Sequence, residues 1–242
     1  MLKTSVAAAT AMARFVTQWM DSRSTLAHHR HSVLSLETPC MTTVRRLLIA
    51  SLLALAAPLS AWAQAAAPAG IEVAGIKYAP TVSVGSANLQ LNGAGVRYKA
   101  IFKVYTAGLY LGAKANTPEA VYAAPGVKRL HVVMLRDIDG NELGKLFTDG
   151  MQKNATREEF GKVIPGTLKL ADIFATRKRL VAGDAFFVDY TPGTGTVFSI
   201  NGKPAGEPIA DPVFFTVLMK IWLGASPADW QLKDALLGQS KG

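Results

Sequence analysis

Few residues of this chain could do chemistry, and the most reactive types are concentrated near its start. Three of four histidines stand together as His28, His29 and His31, and the only cysteine is Cys40. Adjacent histidines without spaced partners do not build a coordination geometry, so neither a metal nor a cofactor is expected. His131 lies inside the apolar run RLHVVML with no sequence neighbour suited to a catalytic pair, and reads as a structural histidine. Thr191-Pro192-Gly193-Thr194-Gly195 has the glycines of an anion-binding loop, but it joins two strand-like runs and no helix start follows. It therefore reads as a hairpin turn. What remains is a basic stripe: Arg97, Lys99 and Lys103 alternate with Tyr98, Ala100, Phe102 and Val104, the pattern of a half-buried strand with a solvated face. Tyr105, Thr106 and Tyr110 follow on the same run, where the tyrosines can equally be core or edge aromatics.

Which of these residues persist depends on Met41 to Gln64, MTTVRRLLIASLLALAAPLSAWAQ. Arg45 and Arg46 make a basic start, Leu47 to Leu59 an apolar middle, and Ala61-Trp62-Ala63 a small-x-small cleavage site, the layout of a secretory signal peptide. Residues 1–40 then read as an upstream extension from a start codon chosen in error, 41–63 as the signal peptide and 64–70 as a flexible leader. The mature protein is expected in the periplasm or outside the cell, of a Gram-negative bacterium. The apolar run is shorter than the roughly 20 residues of a spanning helix, so no membrane span is expected after cleavage. Cleavage changes the formal charge from +9 to +5, because the first 63 residues remove six Lys/Arg and two Asp/Glu and leave 20 basic against 15 acidic. Such a balance argues against nucleic acid as a partner. It also leaves no thiol, which excludes disulfides and cysteine nucleophiles. About 180 residues remain, enough for one domain with a real core.

The elements that must position the chemistry change character along residues 71–242. Ile71 to Val73, Lys77 to Val82 and Ala87 to Leu91 read as short strands, divided by Gly75, Gly85 and Asn92-Gly93. Gly95 to Leu111 reads as one long or bent strand rich in Val, Ile, Phe and Tyr, and Val127 to Leu135 as a buried one. After Ile138, Leu143, Leu146, Phe147 and Met151 recur at helical spacing with Asp139 as cap. Glu158 to Lys162 and Thr167 to Thr176 read as helices interrupted at Pro165-Gly166, and Ala185 to Tyr190 with Thr196 to Ile200 as a strand pair. Asp211-Pro212 and Ser226-Pro227 read as starts of two last helices, which carry Trp222 and Trp230 as packing residues and close at Gly238. This order predicts an α+β fold, a mainly antiparallel sheet covered by helices on one face.

Three stretches then carry a resemblance: GAGVRYKAIFKVYTAGLYL, LHVVMLRDI leading into a helix, and GDAFFVDYTPGTGTVFSINGK, with IWLG ending a late helix. Together they resemble the chalcone isomerase-like family, most sharply in G-x-G-x-R followed by K-V-Y-x-x-G-L-Y-L. The resemblance implies an open-faced β-sandwich whose large sheet is covered by helices, with a ligand cleft between them. In the plant enzymes of that family an arginine orients a phenolate for intramolecular attack on an enone, helped by a threonine, a tyrosine and an asparagine. Arg97 matches the arginine, and Tyr105 or Thr106 stands near the threonine. The helix from Asp139 to Lys153 has no tyrosine: Glu142 or Leu143 and Asp149 or Gly150 occupy the remaining places.

A non-catalytic branch of the family binds fatty acids through an arginine and a tyrosine, and Arg97 with Tyr105 is more similar to that pair. A guanidinium fork fits a carboxylate bidentately and a phenol adds a neutral donor. On one straight strand the two share a face but stand about 26 Å apart, so they serve one ligand only if the strand bends, and no glycine lies between them. The implied site is Arg97, Tyr105 and Thr106, with a small amphipathic carboxylate or phenolic ligand. Three functions stay open: a periplasmic binder of an amphipathic anion such as a fatty acid, an isomerase acting on a phenolic enone, and a structural module of the cell envelope whose cleft is filled by its own side chains.

Overall fold

A computed structural model describes residues 70–239, so the expected extension, signal peptide and all of the leader but Gly70 lie outside them. Strands β1 (Ile71–Val73) and β2 (Ile76–Tyr78) pair as a small separate hairpin. The run expected from Lys77 to Val82 is divided at Pro80, which has no N–H for a ladder, and β3 (Thr81–Val84) starts the main sheet. There follow β4 (Ala87–Lys99), β5 (Phe102–Leu111) and β6 (Lys128–Met134), a short pair β7 (Ile138–Asp139) and β8 (Arg179–Leu180), then β9 (Ala185–Thr191), β10 (Gly195–Ile200) and β11 (Lys203–Pro204). The main sheet has seven strands in the order β11-β10-β9-β6-β5-β4-β3, every neighbour antiparallel.

The single strand expected from Gly95 to Leu111 is instead a hairpin. The chain reverses at Ala100 and Ile101, and Lys99 faces Phe102 across the turn. Ala100 takes φ 55°, a left-handed conformation normally left to glycine. No glycine, proline or asparagine marks the reversal, and Ile101 and Phe102 continue the strand-like composition through it. That is why the turn is silent in the sequence.

Five helices are described: α1 (Pro118–Ala123), α2 (Gly140–Asn154), α3 (Arg157–Thr176), α4 (Pro212–Leu223) and α5 (Trp230–Leu236). The Asp139 carboxylate caps α2 by accepting from the amides of Asn141 and Glu142. The two helices expected around Pro165 form one, α3, begun by a reciprocal capping box between Thr156 and Glu159. An interior proline costs about 3 kcal/mol. Packing carries the helix through it: Val163, Thr167, Leu170, Ile173 and Phe174 are buried on both sides of the proline, and a Cβ on Gly166 would stand 2.6 Å from Phe214. The cap of α5 is Asp229, which binds the Gln231 and Leu232 amides, in place of the expected Ser226. Gly238 closes it at φ 68°.

Alternation on the strands separates two faces. Leu109, Leu130, Val132, Phe186 and Val188 form the main core with α2, α3 and α4, whereas Leu89, Leu91, Ala94 and Tyr110 gather under Tyr78 of the small hairpin. Two irregularities adjust β4 and β5. At the first, Asn92 is an extra residue whose amide group reaches the Ala115 and Leu236 carbonyls and accepts from the Ala115 N–H. At the second, Val104 is the extra residue opposite Arg97 and Tyr98, which turns both Val104 and Tyr105 toward the helices. Gly95 is bare because α5 lies against it: an added Cβ would meet that of Ala235 at 2.6 Å.

Candidate ligand-binding site

The hairpin removes the distance that a straight strand would impose. Arg97 on β4 and Tyr105 on β5 are direct cross-strand partners, a relation that puts Cβ atoms about 5 Å apart on one face. The Arg97 guanidinium carbon lies 5.6 Å from the centroid of the Tyr105 ring. Both line a cavity of about 290 Å³ between the sheet and the helices. Its walls are Ile138, Leu143, Leu146, Phe147 and Ile221, with Ser226 to Ala228 beside them and Asp149 and Lys153 at the rim.

On the sheet side of this cavity two donors are left over among the described residues. Among the described residues Arg97 has no carboxylate within ion-pair distance. The nearby Asp229 is engaged with backbone: it caps α5 and accepts from the Tyr98 amide at 2.7 Å. Tyr105 is 4% exposed. Its hydroxyl oxygen accepts from the Trp222 indole N–H at 2.8 Å, and the phenol's own proton has no acceptor among the described residues. Burial pushes the Tyr105 pKa up to about 12, against the opposing pull of the Arg97 charge. The phenol is therefore neutral at any physiological pH, a donor rather than a base. Trp222 matches its expected packing role, since it stacks edge-on against Phe147, but its bond to Tyr105 joins residues 117 positions apart and leaves no local trace.

Thr106 is not brought to this cavity. It points to the opposite face, fully buried, and accepts from the Tyr78 hydroxyl at 2.7 Å. Glu142 is exposed and lines a neighbouring depression of about 200 Å³ with Arg97, Lys99, Arg136 and Asp137. The helix wall facing Tyr105 is thus apolar, built from Leu143, Leu146 and Phe147. Deeper between sheet and helices, Phe147, Phe174, Phe186 and Trp222 pack edge to face and fill the space.

His131 lies on the other face, stacked on Phe187 at 4.4 Å and edge-on to Tyr78 at 5.3 Å. Among the described residues no three His, Cys, Asp or Glu side chains gather where a metal could sit. A larger depression of about 720 Å³ lies between the end of α3 and the segment after β11. Lys169, Asp172, Arg177 and Glu207 give it mixed charge, and it reaches neither Arg97 nor Tyr105. It is a surface groove with no buried polar group turned into it.

The sequence matches the family model described as chalcone isomerase-like over residues 70–238. The chain belongs to the chalcone isomerase-like family. Among solved structures, a fatty-acid binding protein of Arabidopsis thaliana is similar at 12% identity and a TM-score of 0.51, over 67% of this chain and 92% of that one. The likeness confirms the α+β architecture, with its large antiparallel sheet and helical cover. No curated protein sequence matches the chain. No described helix is long and apolar enough to cross a membrane.

Proposed function

We propose that this protein binds a small amphipathic carboxylate, without transforming it, in the cleft between β4–β5 and α2. The supporting observation is the pair of donors unused among the described residues: a guanidinium without a counter-ion and a buried phenol proton without an acceptor, side by side at an apolar cavity. The phenol is buried, where an unmet donor is costly, and the half-buried guanidinium beside it keeps its fork free for an anion. A carboxylate answers both, taking the guanidinium fork and the neutral phenol donor while its tail lies on Leu143, Leu146 and Phe147. The fatty acid bound by the Arabidopsis relative has the same division of charged head and apolar tail.

The size of the cavity refines the ligand. At about 290 Å³ it stands at the lower limit of small-molecule sites, and the aromatic cluster behind it closes the path that a long tail would take. A medium chain such as decanoate fits this space better than palmitate. Catalysis of the isomerase kind is disfavoured by the apolar helix wall and by Asp149 at the rim, where a carboxylate would repel a phenolate. The signal-like segment at residues 41–63 supports a periplasmic or secreted setting.

Calorimetric titration with decanoate tests the reading. Arg97→Ala should lower affinity by about 2 to 5 kcal/mol, because the head is left partly desolvated and unpaired, and Lys99→Ala should change it little. Equal effects of the two substitutions, or no decanoate binding by the unsubstituted protein, would overturn it.

A further inference from the structure

The tip of the β4–β5 hairpin is built against the ordinary rules for a turn. Ile101 is 84% exposed and Phe102 55% exposed, the former the most exposed large apolar side chain among the described residues. Ala100 beside them holds a left-handed backbone. Single exposed apolar residues need no explanation, but these two are adjacent and ringed by cations. Lys99 and Lys103 flank them in sequence and are exposed. The Arg136 guanidinium sits 5.0 Å from the Phe102 ring centroid. Val181, 44% exposed, stands on a neighbouring loop whose Ala182 amide is bonded to Asp137.

The carboxylates nearby do not cancel this charge. Asp137 is paired with Arg179 at 3.5 Å, and Glu142 is the other acidic group in the adjoining depression, against Arg97, Lys99 and Arg136. An apolar wedge with a cationic collar is the chemistry that holds peripheral proteins on anionic bilayers: aliphatic and aromatic side chains enter the headgroup layer while Lys and Arg stay with the phosphates. A protein partner would more often meet a wider and flatter apolar patch.

We propose that the β4–β5 tip docks this protein on an anionic phospholipid surface, Ile101 and Phe102 entering the interface and Lys99, Lys103 and Arg136 meeting lipid phosphates. Arg97 lines both the depression at this tip and the ligand cavity, so docking brings the mouth of the cleft to the membrane. The docking itself does not require that a carboxylate bind there.

Flotation of the full chain with phosphatidylglycerol–phosphatidylethanolamine vesicles is the test, with phosphatidylcholine vesicles for comparison. Binding should favour the anionic vesicles and weaken with salt. Ile101→Ser with Phe102→Ser should weaken it about tenfold or more, and Lys99→Gln, Lys103→Gln and Arg136→Gln roughly fivefold each. Leu168→Ser, at an exposed leucine of α3, should have no effect, and contributions from the rest of the chain are common to every variant. Phe102→Trp gives a local reading, since the introduced indole should be quenched by brominated lipids. No such quenching, or an equal loss from Leu168→Ser, overturns the proposal. Decanoate titration without vesicles separates the two readings: the Ile101→Ser, Phe102→Ser variant should bind decanoate as the parent does. A parent that docks but ignores decanoate keeps the surface and loses the cleft ligand.

Discussion

On the outer face of the sheet Arg129 clasps Asp189 through two bonds of 2.6 Å, Tyr78 donates to Thr106, and Tyr110 donates to the Ala79 carbonyl. On the inner face Arg97 stands beside Tyr105 with no carboxylate in ion-pair reach among the described residues, where Tyr105 receives a bond without giving one. The residue types are the same, arginine and tyrosine on neighbouring strands. The difference is closure. Where these donors are answered from within the protein, the groups hold the fold together. Where donors are left over beside an apolar hollow, the proposed carboxylate would answer them.

The sharpest way to break this comparison is to delete the arginine from each face. Arg129→Ala strands Asp189, whose side chain is 14% exposed, and should cost about 3 to 5 kcal/mol of stability in urea unfolding while leaving decanoate affinity unchanged. Arg97→Ala should do the reverse, with its loss in the titration and unfolding within about 0.5 kcal/mol of the parent. If Arg97→Ala destabilises as much as Arg129→Ala, the two faces do not differ as described.

A smaller effect sharpens the outer face. Burial, helped by the Arg129 charge, lowers the His131 pKa from 6.5 to about 4. The unfolded chain then takes up a proton between those values that the folded protein refuses. Stability should be full above pH 6.5 and fall toward pH 4, by at most about 3 kcal/mol from this group. His131→Phe, which keeps the stack on Phe187, should flatten that part of the profile in thermal unfolding. An unchanged slope would show that His131 is solvated.

The smallest test compares two phenols. Tyr105→Phe removes one neutral donor and should cost about 1 kcal/mol of ligand affinity, with little loss of stability. Tyr78→Phe leaves the Thr106 hydroxyl without its donor and should cost about 1 kcal/mol of stability instead, with affinity unchanged. Identical profiles from the two would erase the distinction between faces.

Much of the architecture is written locally. Asp139 before an apolar period, Asp211-Pro212, Gly238 and the glycine-rich turn after Tyr190 each mark an element boundary by a side chain that meets a backbone need within a few residues. The missed features depend on partners elsewhere in the fold. Pro165 stays helical because of what Gly166 touches on α4, and the start of α5 moves to Asp229, whose carboxylate also holds the Tyr98 amide. At the site, Arg97 and Tyr105 are visible as residues, but their pairing depends on a turn at Ala100 and Ile101 that carries no turn chemistry. Thr106 fails as a partner by parity alone, since one step along a strand reverses the face.

The same reversal sets an order of events. A two-residue turn brings Arg97 and Tyr105 together from eight positions apart, an encounter that hairpins complete in about 1 to 10 μs. Trp222 must come 117 residues to reach the Tyr105 hydroxyl, and closing so long a loop costs more chain entropy. On loop-closure cost alone the donors are expected to meet before the lining of their cavity is in place. A carboxylate bound as proposed, spanning donors and lining, would do little to hasten folding; it would slow the departure of α4, so its occupancy should appear as a longer lifetime of the folded chain.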